Sequence, residues 1–198
     1  NVLIIGGGIV GLNAMQMSLG LGASTTLLDV NNDLLNEIKN NYPAVNVAES
    51  SEEVIRNLLP MIDIVVGAVL TPGGKPPTVI TRDMLSLMEP KSILSDVSVD
   101  QGGCFETSKP TTHGNPTYEI DNIIHYCVKN IPSAVPFTAT NALNEATKPF
   151  ILKFANSGLV GLFNDEKLLM ALNTYKGKLT NEEVALAHSL EFTDSKSI

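Results

Sequence analysis

The chain has 198 residues, enough for one domain or one and a half, and its 43% hydrophobic and 17% charged residues are ordinary for a soluble globular protein. A net charge of −8, with thirteen Lys and Arg residues scattered without a run, excludes the basic footprint of a nucleic-acid binder. No apolar run approaches the roughly 18 residues that a membrane helix requires, so no membrane partner is expected.

The opening stretch NVLIIGGGIVGLNA supplies an apolar strand, VLII (2–5), three glycines and a helical pattern from Ile9 to about Gly20. STTLLD (24–29) is a second β-branched strand, followed by the helix-like NNDLLNEIKNN. Next come AVNVAE (44–49), a short helix near 51–58, IDIVVGAVL (62–70), the helical TRDMLSLM (81–88), SILSDVSVD (92–100) and NIIHYCVKN (122–130). Six strands alternating with helices predict βαβ units with right-handed crossovers. The fold class is therefore α/β, a Rossmann-type doubly wound and mostly parallel sheet over residues 1–137.

After Pro132 the texture changes. From Thr138 to Asn156, Ala139, Ala142, Leu143, Ala146, Phe150 and Phe154 keep a helical stripe that Pro149 is expected to kink or interrupt. Two further helical segments, near 165–175 and 180–190, are read with no strand between them. A tail of this kind cannot bury its apolar faces alone and must pack on another unit. Cys104 and Cys127 fit neither a disulfide framework nor a metal-ligand spacing, so they are read as reduced thiols of a cytoplasmic protein without a metal site. The first residues show neither the basic region nor the cleavage site of an export signal.

GGGIVG places Gly6, Gly8 and Gly11 in the G-x-G-x-x-G register after a strand and at the start of a helix. In a dinucleotide site the first glycine permits the turn, the second lets the backbone approach a pyrophosphate, and the third lets helix and strand pack closely. Asp29 ends the second strand eighteen residues after Gly11, where a carboxylate can accept from an adenosine ribose and repels a 2′-phosphate. NAD rather than NADP is the expected cofactor. The bland alternative is a structural glycine turn with a solvated Asp29.

In an open parallel sheet the ligand lies beyond the carboxyl ends of the strands. Val69 and Leu70, Asp100, and Asn130 are read as three such ends, and Asp100 is the ionisable one among them. An Asp before Gly-Gly is also an ordinary turn former, so both readings stand at this point.

These segments, with DIVVGAVLTPGGKPP, DVSVDQGGCFETSKPTTH and HYCVKNIPSAVPFTAT in order, resemble the NAD-binding half and C-terminal tail of the alanine dehydrogenase family over essentially the whole chain. DQGG with the PTTH behind it, and NIPSAVP, are the most specific parts. The resemblance implies NAD-dependent, reversible oxidative deamination of L-alanine to pyruvate and ammonia, by a homo-oligomer, most often a hexamer. It implies that Asp100 is catalytic beside the nicotinamide ribose and that Asn130 lies beside the nicotinamide and substrate. It further implies pyrophosphate contacts from Ile9 and Val10, a ribose contact from Asp29, and a cofactor wall of Ser50, Val69, Leu70, Val97, Ser98, Val99, Asp100, Val128, Lys129, Asn130 and Ile131. The serine can be aligned as Ser50 or Ser51. Where family members often carry a basic residue after the acidic strand end, this chain has Leu34.

The family's carboxylate-binding Arg and Lys and its acid–base His belong to a substrate domain preceding the glycine loop. Asn1 is therefore expected to mark a seam inside a longer enzyme, and residues 138–198 are expected to return to that domain. His113, His125 and His188 are read as structural or solvated. Two alternatives are carried: the NAD(H)-binding domain of a proton-translocating transhydrogenase, a related family with Glu where this chain has Asp100, and a non-enzymatic NAD-binding module.

Overall fold

A computed structural model describes residues 1–197, which divide into two compact units. The first comprises Asn1–Thr71 and Lys75–Ile131; the second comprises Pro72–Gly74 and the chain from Pro132 on.

The first unit holds strands β1 (Val2–Ile5), β2 (Thr25–Asp29), β3 (Asn46–Glu49), β4 (Ile64–Gly67), β5 (Ile93–Asp96), β6 (Thr117–Ile120) and β7 (Ile123–Tyr126). They form one sheet of order β3-β2-β1-β4-β5-β7-β6, parallel except for the β6–β7 pair. Helices α1 (Ile9–Gly20), α2 (Asn32–Asn41) and α3 (Glu52–Leu58) and a 3-10 helix at Arg82–Leu87 connect them. The Rossmann-type α/β expectation holds.

β1 is buried on both faces because side chains alternate along a strand. Val2 and Ile4 pack with Met15, Leu27, Leu35, Ile38 and Val45 under α1 and α2. Leu3 and Ile5 pack with Leu28, Ile55, Leu59, Val65, Met84 and Leu94 on the opposite face. α2 starts at Asn31, whose side-chain oxygen accepts from the amides of Asp33 at 3.0 Å and Leu34 at 3.1 Å, and it buries Leu35 and Ile38 one turn apart.

Three expected strands prove shorter than their apolar runs: 62–70 is a strand only over 64–67, 92–100 only over 93–96, and 122–130 only over 123–126. Val99 and Val128 look like strand residues but are buried beyond the ladder, Val99 in a 3-10 turn and Val128 in an isolated parallel bridge to Thr111. Residues Val69, Leu70, Asp100 and Asn130 are accordingly not strand ends; they sit in loops two to four residues further on. β6, absent from the six expected strands, pairs with β7 through a turn at Asp121 and Asn122 with φ of 52° and 65°. Successive left-handed residues are the geometry of tight hairpins, and Asp and Asn tolerate them.

The second unit contains α4 (Pro136–Phe163), α5 (Glu166–Met170), a hairpin of β8 (Thr174–Tyr175) and β9 (Lys178–Leu179), and α6 (Glu182–His188). The hairpin corrects the expectation of no strand between the last helices; it turns at Lys176 and Gly177, with φ of 49° and 76°. α4 passes through Pro149 and is interrupted instead at Gly158, whose φ of 57° and ψ of −151° suit glycine alone. Asp165 caps α5 and pairs with Lys153 of α4, which holds its carboxyl below the usual range. Among the described residues no helix is long and apolar enough to cross a membrane.

His125 is a buried polar residue of the sheet. Its Nδ1 donates to the Ile123 carbonyl at 3.0 Å, its Nε2 accepts from the Thr107 hydroxyl at 2.8 Å, and its ring stacks on Tyr118 at 4.9 Å. Burial lowers its pKa, so the fold holds it neutral. Its contribution is complete above the ordinary histidine value of about 6.5 and is lost as pH falls below it, because the unfolded chain then binds the proton first. We expect the thermal midpoint to fall between pH 7.5 and pH 5.5, both chosen to bracket about 6.5, and to fall less in His125→Gln; an equal slope in the two proteins contradicts a neutral buried imidazole.

Candidate functional site

The glycine loop follows directly from β1. Gly6 has φ +107°, and a Cβ there would lie 2.5 Å from the Ala68 carbonyl oxygen. At Gly11 a Cβ would lie 1.8 Å from the Gly6 carbonyl oxygen. Both positions are closed by backbone, which cannot yield as a flexible side chain does. Gly8 differs: its backbone is extended and nothing stands within 4 Å of a Cβ there. The middle glycine therefore opens onto empty space, where a ligand can reach the backbone.

α1 begins at this opening without a side-chain cap and without an acidic residue in its first turn. α2 and α3, by contrast, are capped by Asn31 and by Ser51, whose Oγ accepts from the Val54 amide at 3.2 Å. Ile9 and Val10 are exposed, and first-turn amides have no partner inside a helix. Their N–H groups and the helix dipole suit an anion such as a pyrophosphate.

Asp29 stands at the carboxyl end of β2 beside this loop. Its Oδ2 accepts from the Gly7 amide at 2.7 Å and its Oδ1 from the Asn31 amide at 2.9 Å. A carboxylate has about four acceptor positions, so two remain for sugar hydroxyls. Leu34 lies beside Gly7 and brings no charge. The Ser50 amide donates to the Asp29 carbonyl at 2.9 Å, and Ser50, Ser51, Val30, Thr78 and Val79 line one cleft of about 230 Å³. Of the two serines, Ser51 is engaged in capping α3.

A second group of sequence-selected residues meets beyond β4, β5 and β7. The Val97 amide donates to the Gly67 carbonyl at 2.9 Å. The Ser98 hydroxyl donates to the Val69 carbonyl at 2.6 Å, tying those two predicted positions together. Val99 is buried and starts the 3-10 turn Val99–Gln101 that carries the exposed Asp100. The Asp100 carboxylate accepts from the Asn130 amide, at 3.0 Å to Oδ2 and 3.3 Å to Oδ1. Asn130 has φ +50°, a conformation that Asn tolerates better than most residues. Val128 is buried, the Lys129 amide donates to the Thr111 carbonyl at 3.1 Å, Ile131 is half-buried, and Leu70 is exposed.

One residue is absent from the sequence reading, and another gains a neighbour. His113 lies in a turn, as expected, with its Nε2 3.4 Å from the Asn130 carbonyl oxygen. Asp96, the true end of β5, is fully buried and collects donors from the following loop. One is the Cys104 thiol at 3.4 Å, which burial and then the Asp96 charge itself push far above the usual thiol range. That thiol stays protonated and is no nucleophile. His125 lies in β7, and His188 belongs to the second unit, at the end of α6. Among the described residues no group of His, Cys, Asp and Glu could hold a metal ion.

A family model described as alanine dehydrogenase/PNT, C-terminal domain, matches residues 1–182. The chain is 47% identical to the alanine dehydrogenase of Halomonas elongata, over 100% of this chain and 54% of that protein. It is 46% identical to the alanine dehydrogenase of Staphylococcus haemolyticus, over 97% of this chain and 52% of that protein. A solved L-alanine dehydrogenase is similar at TM-score 0.83 and 39% identity, over 95% of this chain and 52% of that one. A transhydrogenase from Sinorhizobium meliloti, at TM-score 0.70 and 20% identity over 91% and 49%, shares the fold. The chain thus spans about half the length of the curated relatives it matches.

The glycine geometry separates two variants. Gly8→Ala should change stability by no more than about 1 kcal/mol, since its φ of −68° and its open surroundings accept a methyl group. Gly11→Ala should cost about 2 kcal/mol or more through overpacking against the Gly6 backbone. Urea unfolding of both variants checks the contrast, and similar losses would mean that the loop relaxes around residue 11.

Proposed function

The chain belongs to the alanine dehydrogenase/PNT family, and from that premise we propose that it is the NAD-binding portion of an alanine dehydrogenase. The reaction is L-alanine, water and NAD⁺ giving pyruvate, ammonium, NADH and a proton, and it is reversible. In this reading residues 1–137 bind the cofactor and residues 138–198 belong to the substrate domain.

The observation that carries the reading is the pairing of an uncapped α1, entered through an unobstructed Gly8, with an acidic Asp29 at the neighbouring strand end. A dinucleotide presents a pyrophosphate and a ribose diol at that spacing. Gly6, Gly8, Ile9, Val10 and Gly11 would hold the pyrophosphate, Asp29 the adenosine ribose, and Ser50 the adenine side. Val69, Leu70, Val97 to Asp100 and Val128 to Ile131 would form the wall toward the nicotinamide. The Asp29 carboxylate and the apolar Leu34 favour NAD over a cofactor carrying a 2′-phosphate.

Bound NAD supplies the hydride acceptor at its nicotinamide ring. The chain's own contribution to the chemistry centres on Asp100. The Asn130 amide orients its carboxylate and leaves lone pairs that can take a proton from the attacking water and return it to the departing amine. Groups that bind the substrate carboxylate come, in this reading, from the substrate domain. Exposed apolar residues of α4, among them Phe137, Leu143, Ile151 and Val160, support burial against that domain or another subunit, and the expected assembly is a homo-oligomer, a hexamer by family resemblance. Light scattering on the full-length protein checks this, and a monomeric mass counts against it.

The function is tested by NADH formation from L-alanine in the full-length protein. Hydride transfer to a separate NADP-binding partner without alanine turnover would favour a transhydrogenase. Tight NADH binding with no transfer would favour a binding module. Asp29→Ala should weaken NADH binding on the order of 10- to 100-fold, since it loses both hydroxyl acceptors and the Gly7 anchor. Asp100→Ala should leave binding within a few-fold and cut turnover by about 10²- to 10⁴-fold, the usual worth of a positioned acid or base. Equal binding losses in the two variants would contradict this division of roles, and Gly8→Ala should join Asp29→Ala in losing affinity.

A further inference from the structure

We propose that Asp96 is a positioning residue for Asp100, holding the turn that carries it; as a statement about turnover this rests on the dehydrogenase reading. Asp96 is fully buried at the end of β5, and five donors converge on it. Its Oδ1 accepts from the Ser98 amide at 2.9 Å and from the Cys104 thiol. Its Oδ2 accepts from the amides of Cys104 at 2.9 Å and Phe105 at 3.3 Å and from the Ser108 hydroxyl. A carboxylate is the side chain that matches this set, because it only accepts. An acidic group carried into the interior is costly unless its oxygens are bonded.

All five donors lie on residues 98–108, the segment that contains Asp100. Ser98 is the pivot. Its amide is fixed by Asp96, its hydroxyl holds the Val69 carbonyl at 2.6 Å, and its own carbonyl accepts from the amides of Gln101 at 3.0 Å and Gly103 at 3.1 Å. Asp100 lies inside the turn that these bonds close. Gly103, with φ +79°, wraps so tightly that a Cβ there would stand 2.9 Å from Asp96 Oδ2. The chain of contacts continues from Asp100 to the Asn130 amide. One buried carboxylate therefore sets both residues expected nearest the reacting centre, without reaching substrate itself.

Asp96→Asn tests this with the shape preserved. The amide oxygen is expected at the Oδ2 position, where three donors wait, which turns the NH₂ toward the Ser98 amide and the Cys104 thiol and breaks the two bonds that Oδ1 accepts. In the full-length protein kcat should fall on the order of 10- to 100-fold, as for a reacting group displaced by about an ångström, while NADH binding stays within about 3-fold. In the Asp100→Asn background the same change should cost less than about 2-fold more, because residues acting through one another are not additive. Ser108→Ala, which leaves the Ser98 bond intact, should lower stability but keep kcat within about 2-fold of wild type. A multiplicative double mutant, or an unchanged kcat in Asp96→Asn, overturns the proposal.

Amide hydrogen exchange gives a readout independent of turnover. Exchange at 97–103 and at Asn130 should quicken in Asp96→Asn, with β1 unchanged. If wild type fails to oxidise alanine, the functional reading falls, and quickened exchange at Asn130 still upholds the coupling from Asp96, whereas no change there overturns it. Should Asp96→Asn fail to fold, wild-type exchange decides. Protection of the Ser98, Cys104 and Phe105 amides at the level of β1 supports the anchor, and fast exchange overturns it.

Discussion

The Gly6 carbonyl oxygen occupies the place where any other residue at position 11 would put its Cβ. This contact draws the first turn of α1 onto the end of β1, and the site is built on that closeness. With α1 seated, Met15 reaches the cluster that covers β1 and β2. The helix axis then delivers its unpaired amides to the carboxyl edge of the sheet, and Gly8 leaves the approach clear. Packing and ligand geometry thus have one cause, the absence of a side chain at two neighbouring positions that fail in different ways when filled.

The sheet uses the same polar device at two strand ends. Asp29 closes β2 and accepts from the amides of Gly7 and Asn31; Asp96 closes β5 and accepts from those of Ser98, Cys104 and Phe105. In each case a carboxylate holds loop amides that strand pairing leaves over, which is how an irregular segment can run beside a buried sheet without orphaned N–H groups. Their exposure separates their uses. Asp29 is half-buried and retains acceptor positions for a ligand, whereas Asp96 is sealed and only its loop benefits.

The parts legible in the sequence are those encoded by short spacing: the apolar run of β1, the glycine register, the acidic end of β2 and the alternation of strands with helices. Strand ends were not legible, because buried β-branched residues continue beyond the ladder, in a turn at Val99 and an isolated bridge at Val128. Val99 and Val128 extend the apolar runs past Asp96 and Tyr126, which hid the real end of β5. Asp96 was missed for the same reason, and its donors lie up to twelve residues away in a loop that no periodicity marks. The Asp121–Asn122 turn was a visible signal, two residues that accept left-handed backbone between alternating runs. In the second unit Pro149 suggested a break, but a proline removes one donor, whereas only glycine accepts the backbone found at Gly158.

The distribution of charge bears on how such a site would discriminate. A net charge of −8 repels a dinucleotide at long range, so attraction must come from groups within a Debye length of about 10 Å. α1 contributes its half-charge and amides without any basic side chain in the loop, and an anion in contact with such a terminus gains roughly 0.3–2 kcal/mol. That is a modest attraction, adequate for a pyrophosphate whose remaining affinity comes from the ribose and the apolar wall. It is too small to offset a second phosphate placed against Asp29. If the chain binds NAD as proposed, selectivity for an unphosphorylated ribose would follow from what the loop lacks, cationic side chains, as much as from the carboxylate it presents.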